Sequence, residues 1–291
     1  MIILVTGGAG FIGSNLIKSL LKIDKIKKIY IYDNYSSGTK KNHIRSIKII
    51  YIKGDTIDIM KNKVISSIKF SHIFHFAEFS RIVPSFEHFN QCWLTNVLGT
   101  KKVIELASQN KSKLIYSASS SKFGKKSNEF LSPYAWTKAK NVELIKSYNK
   151  WFGLEYIITY FYNVYGPAQI KNHFMSAVIG IFEQQYSEGK QLTVVKPGNQ
   201  KRDFTHVSDI VDGCIKAAFN KKNKEYQIAS GKLYSVLEVA KMFKTKIKLI
   251  AQRRGERFSS ERESLNKTKK ELNFIPKYSL KKYIEDFIKD N

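Results

Sequence analysis

Ile2-Ile3-Leu4-Val5-Thr6-Gly7-Gly8-Ala9-Gly10-Phe11-Ile12-Gly13 opens the chain and decides its fold. Five strand-forming residues run into a glycine turn, and the apolar spacing from Phe11 to Leu21 is then helical. Strand, glycine turn and helix in that order make a phosphate cradle. Glycine permits the tight turn and lets the backbone approach a pyrophosphate, Gly13 lets helix and strand pack closely, and the helix N-terminus stabilises the anion. Twenty residues beyond Gly13 a second strand ends in Asp33. Its carboxylate suits an adenosine ribose 2′-hydroxyl and repels a 2′-phosphate, which favours NAD; Lys40, Lys41 and Arg45 nearby leave NADP open.

Outward from this turn, short β-branched runs alternate with longer helical patterns, as in a parallel sheet covered by helices on both faces. Strands are expected at Ile2 to Thr6, Lys28 to Asp33, Ile47 to Ile52, His72 to Ala77, Lys113 to Ala118 and Glu155 to Phe161. Helices are expected at Phe11 to Leu21, Asn90 to Gln109 and Tyr134 to Phe152. After Gly166-Pro167 the rhythm changes to a helix around Met175 to Ser187, a short strand Gln191 to Val195 and smaller elements from Ser235 onward. The fold class is therefore α/β, a Rossmann doubly wound parallel sheet with a smaller C-terminal α/β lobe. Residues 1–165 form the expected dinucleotide-binding domain, to which 203–230 returns. Residues 166–202 and 231–291 form the second lobe.

Composition sets the limits. With 291 residues, 43% hydrophobic, and only 5 Pro and 16 Gly, the chain has material for a real core and is neither disordered nor collagen-like. Its net charge of +26 raises nucleic acid or anionic membranes as partners. The lysines, however, fall in scattered pairs such as Lys27/Lys28, Lys125/Lys126 and Lys281/Lys282, not in one stripe interleaved with aromatics. They read as a solvated surface, with nucleic acid an unfavoured partner. Cys92 and Cys214 lack disulfide or metal spacing and read as small core residues in a reducing cytoplasm. No basic leader precedes the first strand, and no apolar run approaches the roughly 20 residues that span a bilayer. No membrane association and no metal site are expected, and His75 and His206 read as structural.

A second constellation lies downstream. The fifth strand ends in Ser117-Ala118-Ser119-Ser120-Ser121, and Tyr134-Ala135-Trp136-Thr137-Lys138 begins a helix. Tyr134 and Lys138 are i and i+4 neighbours on one face, so an ammonium favours the phenolate and makes Tyr134 a usable base.

The combination resembles the extended short-chain dehydrogenase/reductases, specifically the nucleotide-sugar epimerases and dehydratases, over nearly the whole chain. The carriers are the glycine turn, Asp33-Asn34, Gly54-Asp55, His75-Phe76-Ala77, Asn96-Val97-Leu98-Gly99-Thr100, the serine strand, Tyr134 to Lys138, Asn163-Val164-Tyr165-Gly166-Pro167 and Arg202-Asp203-Phe204-Thr205-His206-Val207. The resemblance implies that Gly7, Gly10, Phe11, Ile12, Gly13, Asp33, Asn34, Asp55, Thr56, Ala77, Asn96, Tyr134 and Lys138 line the NAD. Ser119 matches the hydroxyl that shares the substrate proton with Tyr134, making Ser119, Tyr134 and Lys138 the implied catalytic set. Ser120 and Asn163 fall in the sugar site, Arg202 and Arg253 resemble the arginines that clamp the diphosphate, and Glu256 stands where an acid binds the uridine ribose. The resemblance also implies a homodimer built on Asn90 to Gln109 and Tyr134 to Phe152.

Reaction type is read from the residues after Ser119. Similar 4,6-dehydratases carry an Asp-Glu pair there and decarboxylases a Glu, because elimination needs extra acid and base groups; here stand Ser120 and Ser121. Epimerisation of a UDP-hexose or UDP-N-acetylhexosamine at C4, through a 4-keto sugar, is the expected reaction. Three departures bear on the substrate. The loop between Ser119 and Tyr134 is short, Glu78 and Arg81 follow His75-Phe76-Ala77 where familiar 4-epimerases place no charge pair, and small Ser260 is placed to admit an N-acetyl group. Glu78, Arg81 and Ser260 thus join the expected substrate contacts. Another sugar-nucleotide enzyme, a heptose epimerase or reductase, stays open, as does a non-catalytic NAD- or nucleic-acid-binding member of the fold.

Overall fold

A computed structural model describes residues 1–123, 128–220, 223–255 and 265–291. Twelve strands occur among them: β1 (Ile2–Thr6), β2 (Lys28–Asp33), β3 (Ile49–Lys53), β4 (His72–His75), β5 (Lys113–Ser119), β6 (Tyr156–Phe161), β7 (Asn163–Tyr165), β8 (Leu192–Val195), β9 (Lys201–His206), β10 (Lys224–Ile228), β11 (Leu233–Ser235) and β12 (Ile247–Ile250). Seven form one sheet in the order β10-β6-β5-β4-β1-β2-β3. Every neighbouring pair in it is parallel. This is the doubly wound architecture expected from the sequence. The order reverses between β1 and β4, the switch point where a crevice opens at the carboxyl ends of such strands.

The inner strands β1, β4, β5 and β6 are covered on both faces, so they are buried almost continuously and do not alternate. One core gathers Ile3, Val5, Ile29, Ile31, Phe74 and Ile115 with Leu16 and Ile17 of the Phe11–Leu20 helix and Ile210 and Val211 of the Val207–Ala218 helix. On the other face Leu4, Ile73, Leu114, Tyr116 and Ile158 pack against Val103 and Leu106 of the Thr100–Asn110 helix and Val142 and Ile145 of the Pro133–Phe152 helix. Cys92 and Cys214 are fully buried, and burial pushes their thiols up to about 11 and about 12, which makes them inert packing groups.

A separate core supports the smaller elements: Tyr165, Phe182, Leu192, Val194, Phe204 and Phe243 close over β8 and β9. There β9 pairs with β7 in parallel and with β11 in antiparallel fashion, and β12 pairs with β8. The segment after β9 rejoins the large sheet through β10.

The structure redraws four expected boundaries. The third strand begins at Ile49, leaving Ile47 89% exposed, and the fourth ends at His75, releasing Phe76 and Ala77 into the crevice. The helix expected from Met175 starts at Val178, and the helical pattern that the sequence suggests over Thr205 to Asn220 begins only at Val207: Thr205 and His206 belong to β9, with His206 capping the helix that follows by accepting from Ser208 N–H. The helix expected from Asn90 to Gln109 is interrupted. Phe89–Trp93 gives way to a wider π-type turn over Leu94–Gly99 before Thr100–Asn110. The bulge brings Gly99 so close to Thr56 that a Cβ there would lie 2.2 Å from Thr56 Oγ1, and such bulges sit often beside functional sites.

Candidate functional site

A cavity of about 620 Å³ runs from the glycine turn across the switch point to the smaller core. Its cofactor end is shaped by backbone. Gly7 has φ +74°, and a Cβ on it would stand 2.7 Å from Ala77 N. A Cβ on Gly13 would fall 2.3 Å from the Gly7 carbonyl oxygen, so both positions require glycine for close approach. Asp33 accepts from Ala9 N–H (2.9 Å) and Tyr35 N–H (2.8 Å), one bond to each carboxylate oxygen. Burial raises its pKa, while those two N–H groups hold it down in part. Each oxygen retains acceptor capacity toward the cavity.

Gly7, Gly10, Phe11, Ile12, Gly13, Asp33, Asn34, Thr56 and Ala77 all line this wall. Asp55 and Asn96, expected at the cofactor, stand one layer behind it. Asp55 accepts from Asn34 Nδ2 (2.8 Å) and caps the turn at Ile57. Asn96 is fully buried, accepts from Phe79 N–H (2.7 Å) and donates to the Phe79 carbonyl (3.0 Å) and Thr137 Oγ1 (3.1 Å). It pins the loop after β4 from behind.

The middle of the cavity holds Ser119, Ser120, Tyr134 and Lys138. Ser119 ends β5, and its hydroxyl accepts from Ser121 N–H at 3.1 Å. Tyr134 is in the first turn of the Pro133–Phe152 helix, which Ser132 caps by accepting from Ala135 N–H (3.1 Å) and Pro133 opens. The Tyr134 N–H itself is taken up by Ser85 Oγ at 3.3 Å. One turn on, Lys138 projects under the sheet ends, its ammonium 4.9 Å from the centre of the Tyr116 ring.

That ammonium is paired. Lys138 Nζ donates to Glu78 Oε2 and to the Ser117 carbonyl, with side chains 7% and 1% exposed for Lys138 and Glu78. Glu78 Oε1 accepts from Tyr116 OH (2.9 Å), Asn141 Nδ2 (3.0 Å) and Thr100 Oγ1 (3.1 Å). Thr100 Oγ1 meets His75 Nε2 at 2.8 Å, and His75 Nδ1 meets Thr6 Oγ1 at 2.7 Å. A continuous buried network therefore joins the first strand to the Pro133–Phe152 helix. Burial pushes His75 down to about 4, so its ring is neutral, and drives Tyr116 well above the usual tyrosine range. The sequence marks Glu78 and Lys138 as site residues, whereas Thr100 enters only as part of the Asn96-to-Thr100 stretch, and Tyr116 and Asn141 are given no role there. The i, i+3 spacing of Lys138 and Asn141 was the available signal.

The far end of the cavity is lined by Asn163, Arg202, Arg253 and Gly255, and His173, Phe174 and Met175 also line the cavity. Asn163 Nδ2 donates to the Asp203 carbonyl (3.2 Å). Asp203 in turn holds Ser230 and Gly231 N–H groups at 2.9 Å, fixing the β9 strand that carries Arg202. Arg81 lies on the loop after β4 and also lines the cavity. Glu256 and Ser260 lie outside the described residues. His206 is the helix cap just noted and stacks on Tyr278 at 4.1 Å; burial lowers it to about 4.

This geometry has relatives among known proteins. A model of the NAD dependent epimerase/dehydratase family matches residues 3–229. A UDP-N-acetyl-alpha-D-glucosaminuronate decarboxylase of Bacillus cytotoxicus is 31% identical over 257 residues, covering 81% of this chain and 77% of its own. The solved UDP-glucose 4-epimerase of Thermotoga maritima, with UDP-glucose, superposes with a TM-score of 0.90 at 25% identity, covering 99% of this chain and 98% of its own. UDP-glucuronic acid 4-epimerase of Bacillus cereus, solved with UDP-glucuronic acid and NAD, gives 0.88 at 27% identity, covering 100% and 99%.

Proposed function

Because the chain belongs to the NAD dependent epimerase/dehydratase family, we propose that it is an NAD-dependent 4-epimerase of a UDP-sugar of the hexose or N-acetylhexosamine class. One observation carries the choice of reaction. The carboxylates lining the cavity among the described residues are Asp33 and Glu78, and both are engaged, the first by backbone N–H groups at the ribose end and the second by Lys138. Among the described residues, those that follow Ser119 on the cavity wall are Ser120 and Ser121, which offer hydroxyls and no carboxylate. Elimination and decarboxylating variants of this chemistry recruit a further acid or base, whereas inversion at C4 needs one proton acceptor that later gives the proton back.

Gly7, Gly10 and Gly13 with the helix N-terminus hold the dinucleotide pyrophosphate, and Asp33 accepts from its ribose. Bound there, NAD supplies a reversible two-electron acceptor for the sugar carbinol. Tyr134 takes the O4 proton, Ser119 shares that hydrogen bond, and Tyr134 returns the proton after the 4-keto sugar has presented its other face. Lys138, fixed by Glu78 and the Ser117 carbonyl, holds its charge at one place beneath the reacting centre. Arg202 and Arg253 suit the substrate diphosphate, because a planar guanidinium pairs two phosphate oxygens at once. In this reading residues 1–165 with 203–230 carry the cofactor, and 166–202 with 231–291 carry the nucleotide sugar.

Proton NMR of the purified protein with UDP-glucose and UDP-GlcNAc, without added NAD, tests the reading. Conversion to a 4-epimer that Tyr134→Phe abolishes is the expected result; an unchanged spectrum with both sugars, and with added NAD, refutes it for these substrates. No helix among the described residues is long and apolar enough to cross a membrane. The homodimer reading is supported by apolar side chains left exposed on the two implied helices, Trp93, Leu94 and Leu98 on one and Trp151 and Phe152 on the other. Light scattering on the purified protein checks it, a monomeric mass excluding it.

A further inference from the structure

Arg81 is a cavity-lining cation without a counter-charge among the described residues. Its Nη1 donates to the Ser80 carbonyl (2.8 Å) and, weakly, to Ser80 Oγ (3.5 Å). Its Nε is shielded from solvent and has no hydrogen-bond partner. The neighbouring carboxylate, Glu78, faces away into the core and is consumed by Lys138, Tyr116, Thr100 and Asn141. The other acid on the wall, Asp33, belongs to the opposite end. Among the described residues no carboxylate pairs with Arg81, yet a guanidinium does not shed its proton. Burial works against its charge. Ser85, four residues beyond Arg81, takes up the Tyr134 N–H at 3.3 Å, and Arg81 and Tyr134 line the same cavity, so the Arg81 loop runs beside the proton-transfer residue.

A charged, incompletely bonded guanidinium in a ligand cavity is completed by an anion on the ligand. The diphosphates already have their sites, the glycine turn for the cofactor and Arg202 with Arg253 for the substrate. Arg81 is instead next to Tyr134, which handles the C4 hydroxyl. The carbons adjoining C4 are C3 and C5, and an anion carried by C5 is a C6 carboxylate. Resting on the 4-epimerase reading, we propose that Arg81 is the carboxylate site for the sugar, so that the natural substrate is a UDP-hexuronate in place of the neutral hexose or N-acetylhexosamine named above. The fork geometry of arginine matches a carboxylate with two parallel N–H bonds.

The experiment is calorimetric titration of the NAD-loaded protein with UDP, UDP-glucose and UDP-glucuronate, in the natural chain and in Arg81→Gln and Arg81→Lys. The two sugars differ only at C6, so nucleotide and diphosphate contributions cancel in their ratio. UDP-glucuronate is expected to bind about 10- to 100-fold tighter than UDP-glucose, the range of a charge-assisted hydrogen bond. Arg81→Gln is expected to bring that ratio to about 1 with UDP affinity unchanged, and Arg81→Lys to keep part of the preference. Thermal melts of the variants establish that they are folded. A natural chain without preference for the uronate overturns the proposal, as does a preference that survives Arg81→Gln. An equal loss for all three ligands overturns it too and assigns Arg81 to the diphosphate. Turnover, read separately by NMR, decides the 4-epimerase reading: uronate preference without conversion leaves the carboxylate site standing and removes the reaction, whereas conversion of neutral sugars without uronate preference does the reverse.

Discussion

Replacing Glu78 by glutamine tests the buried network that fixes Lys138. Four donors converge on the Glu78 carboxylate, three on Oε1 and the ammonium on Oε2. Glutamine keeps the shape but offers one acceptor oxygen, and its NH₂ end must face either the Lys138 ammonium or the three donors on the other side. Either orientation sets donor against donor. It also leaves a cation 7% exposed without its counter-charge. Removing one partner of a buried ion pair costs about 3–5 kcal/mol. At roughly 2–4 °C per kcal/mol for a chain of this size, Tm falls by roughly 6–20 °C. The assay is urea and thermal unfolding of Glu78→Gln, Lys138→Met and the double variant. The double variant removes charge and counter-charge together, so it is expected to be more stable than the sum of the singles by about 2 kcal/mol or more. A single-variant loss below about 1 kcal/mol, or strict additivity, refutes the argument that Glu78 holds Lys138 by charge.

Two further outcomes follow from the same geometry. Gly13→Ala drives a Cβ to 2.3 Å from the Gly7 carbonyl and 2.7 Å from Gly8 Cα, both backbone atoms that cannot give way cheaply; a loss of about 1–3 kcal/mol is expected, together with a protein that purifies without dinucleotide, and a Gly13→Ala variant retaining full NAD content by absorbance and extraction would contradict it. For His75, the folded-state pKa of about 4 lies below an unfolded value near 6.5, so the unfolded chain binds the extra proton and stability is lost as pH falls from 6.5 toward 4. That window is worth about 3 kcal/mol, so the destabilisation caused by His75→Asn is expected to be about 3 kcal/mol smaller at pH 4 than at pH 7. A difference that does not change with pH in urea titrations would show that His75 is not held neutral.

Much of the architecture is legible in local sequence because local physics sets it. The glycine turn demands backbone that only glycine supplies, and a two-sided parallel sheet demands continuous apolar strands, so β1, β2, β5 and β6 announce themselves. The interruption at Leu94–Gly99 does not, because its apolar spacing still reads as one helix; the wider turn is seen only when Gly99 meets Thr56 and Asn96 meets Phe79 from distant segments. Short β7 and β11 are likewise invisible alone, since three residues gain their order from β9 beside them.

Site chemistry divides in the same way. Residue type and spacing place Tyr134 and Lys138 on one helix face, while the family resemblance adds Ser119 at the strand end and marks Glu78 and Arg81 as unusual neighbours. By sequence alone, those two charges are open to an ion pair beside the cofactor or to contact of both with the substrate. Folding separates them: Glu78 turns inward to Lys138, and Arg81 lines the cavity without a carboxylate among the described residues. Spacing along a chain fixes which side chains share an element, whereas the partner of a buried charge is chosen by desolvation among groups up to 63 positions apart, as Glu78 and Asn141 are.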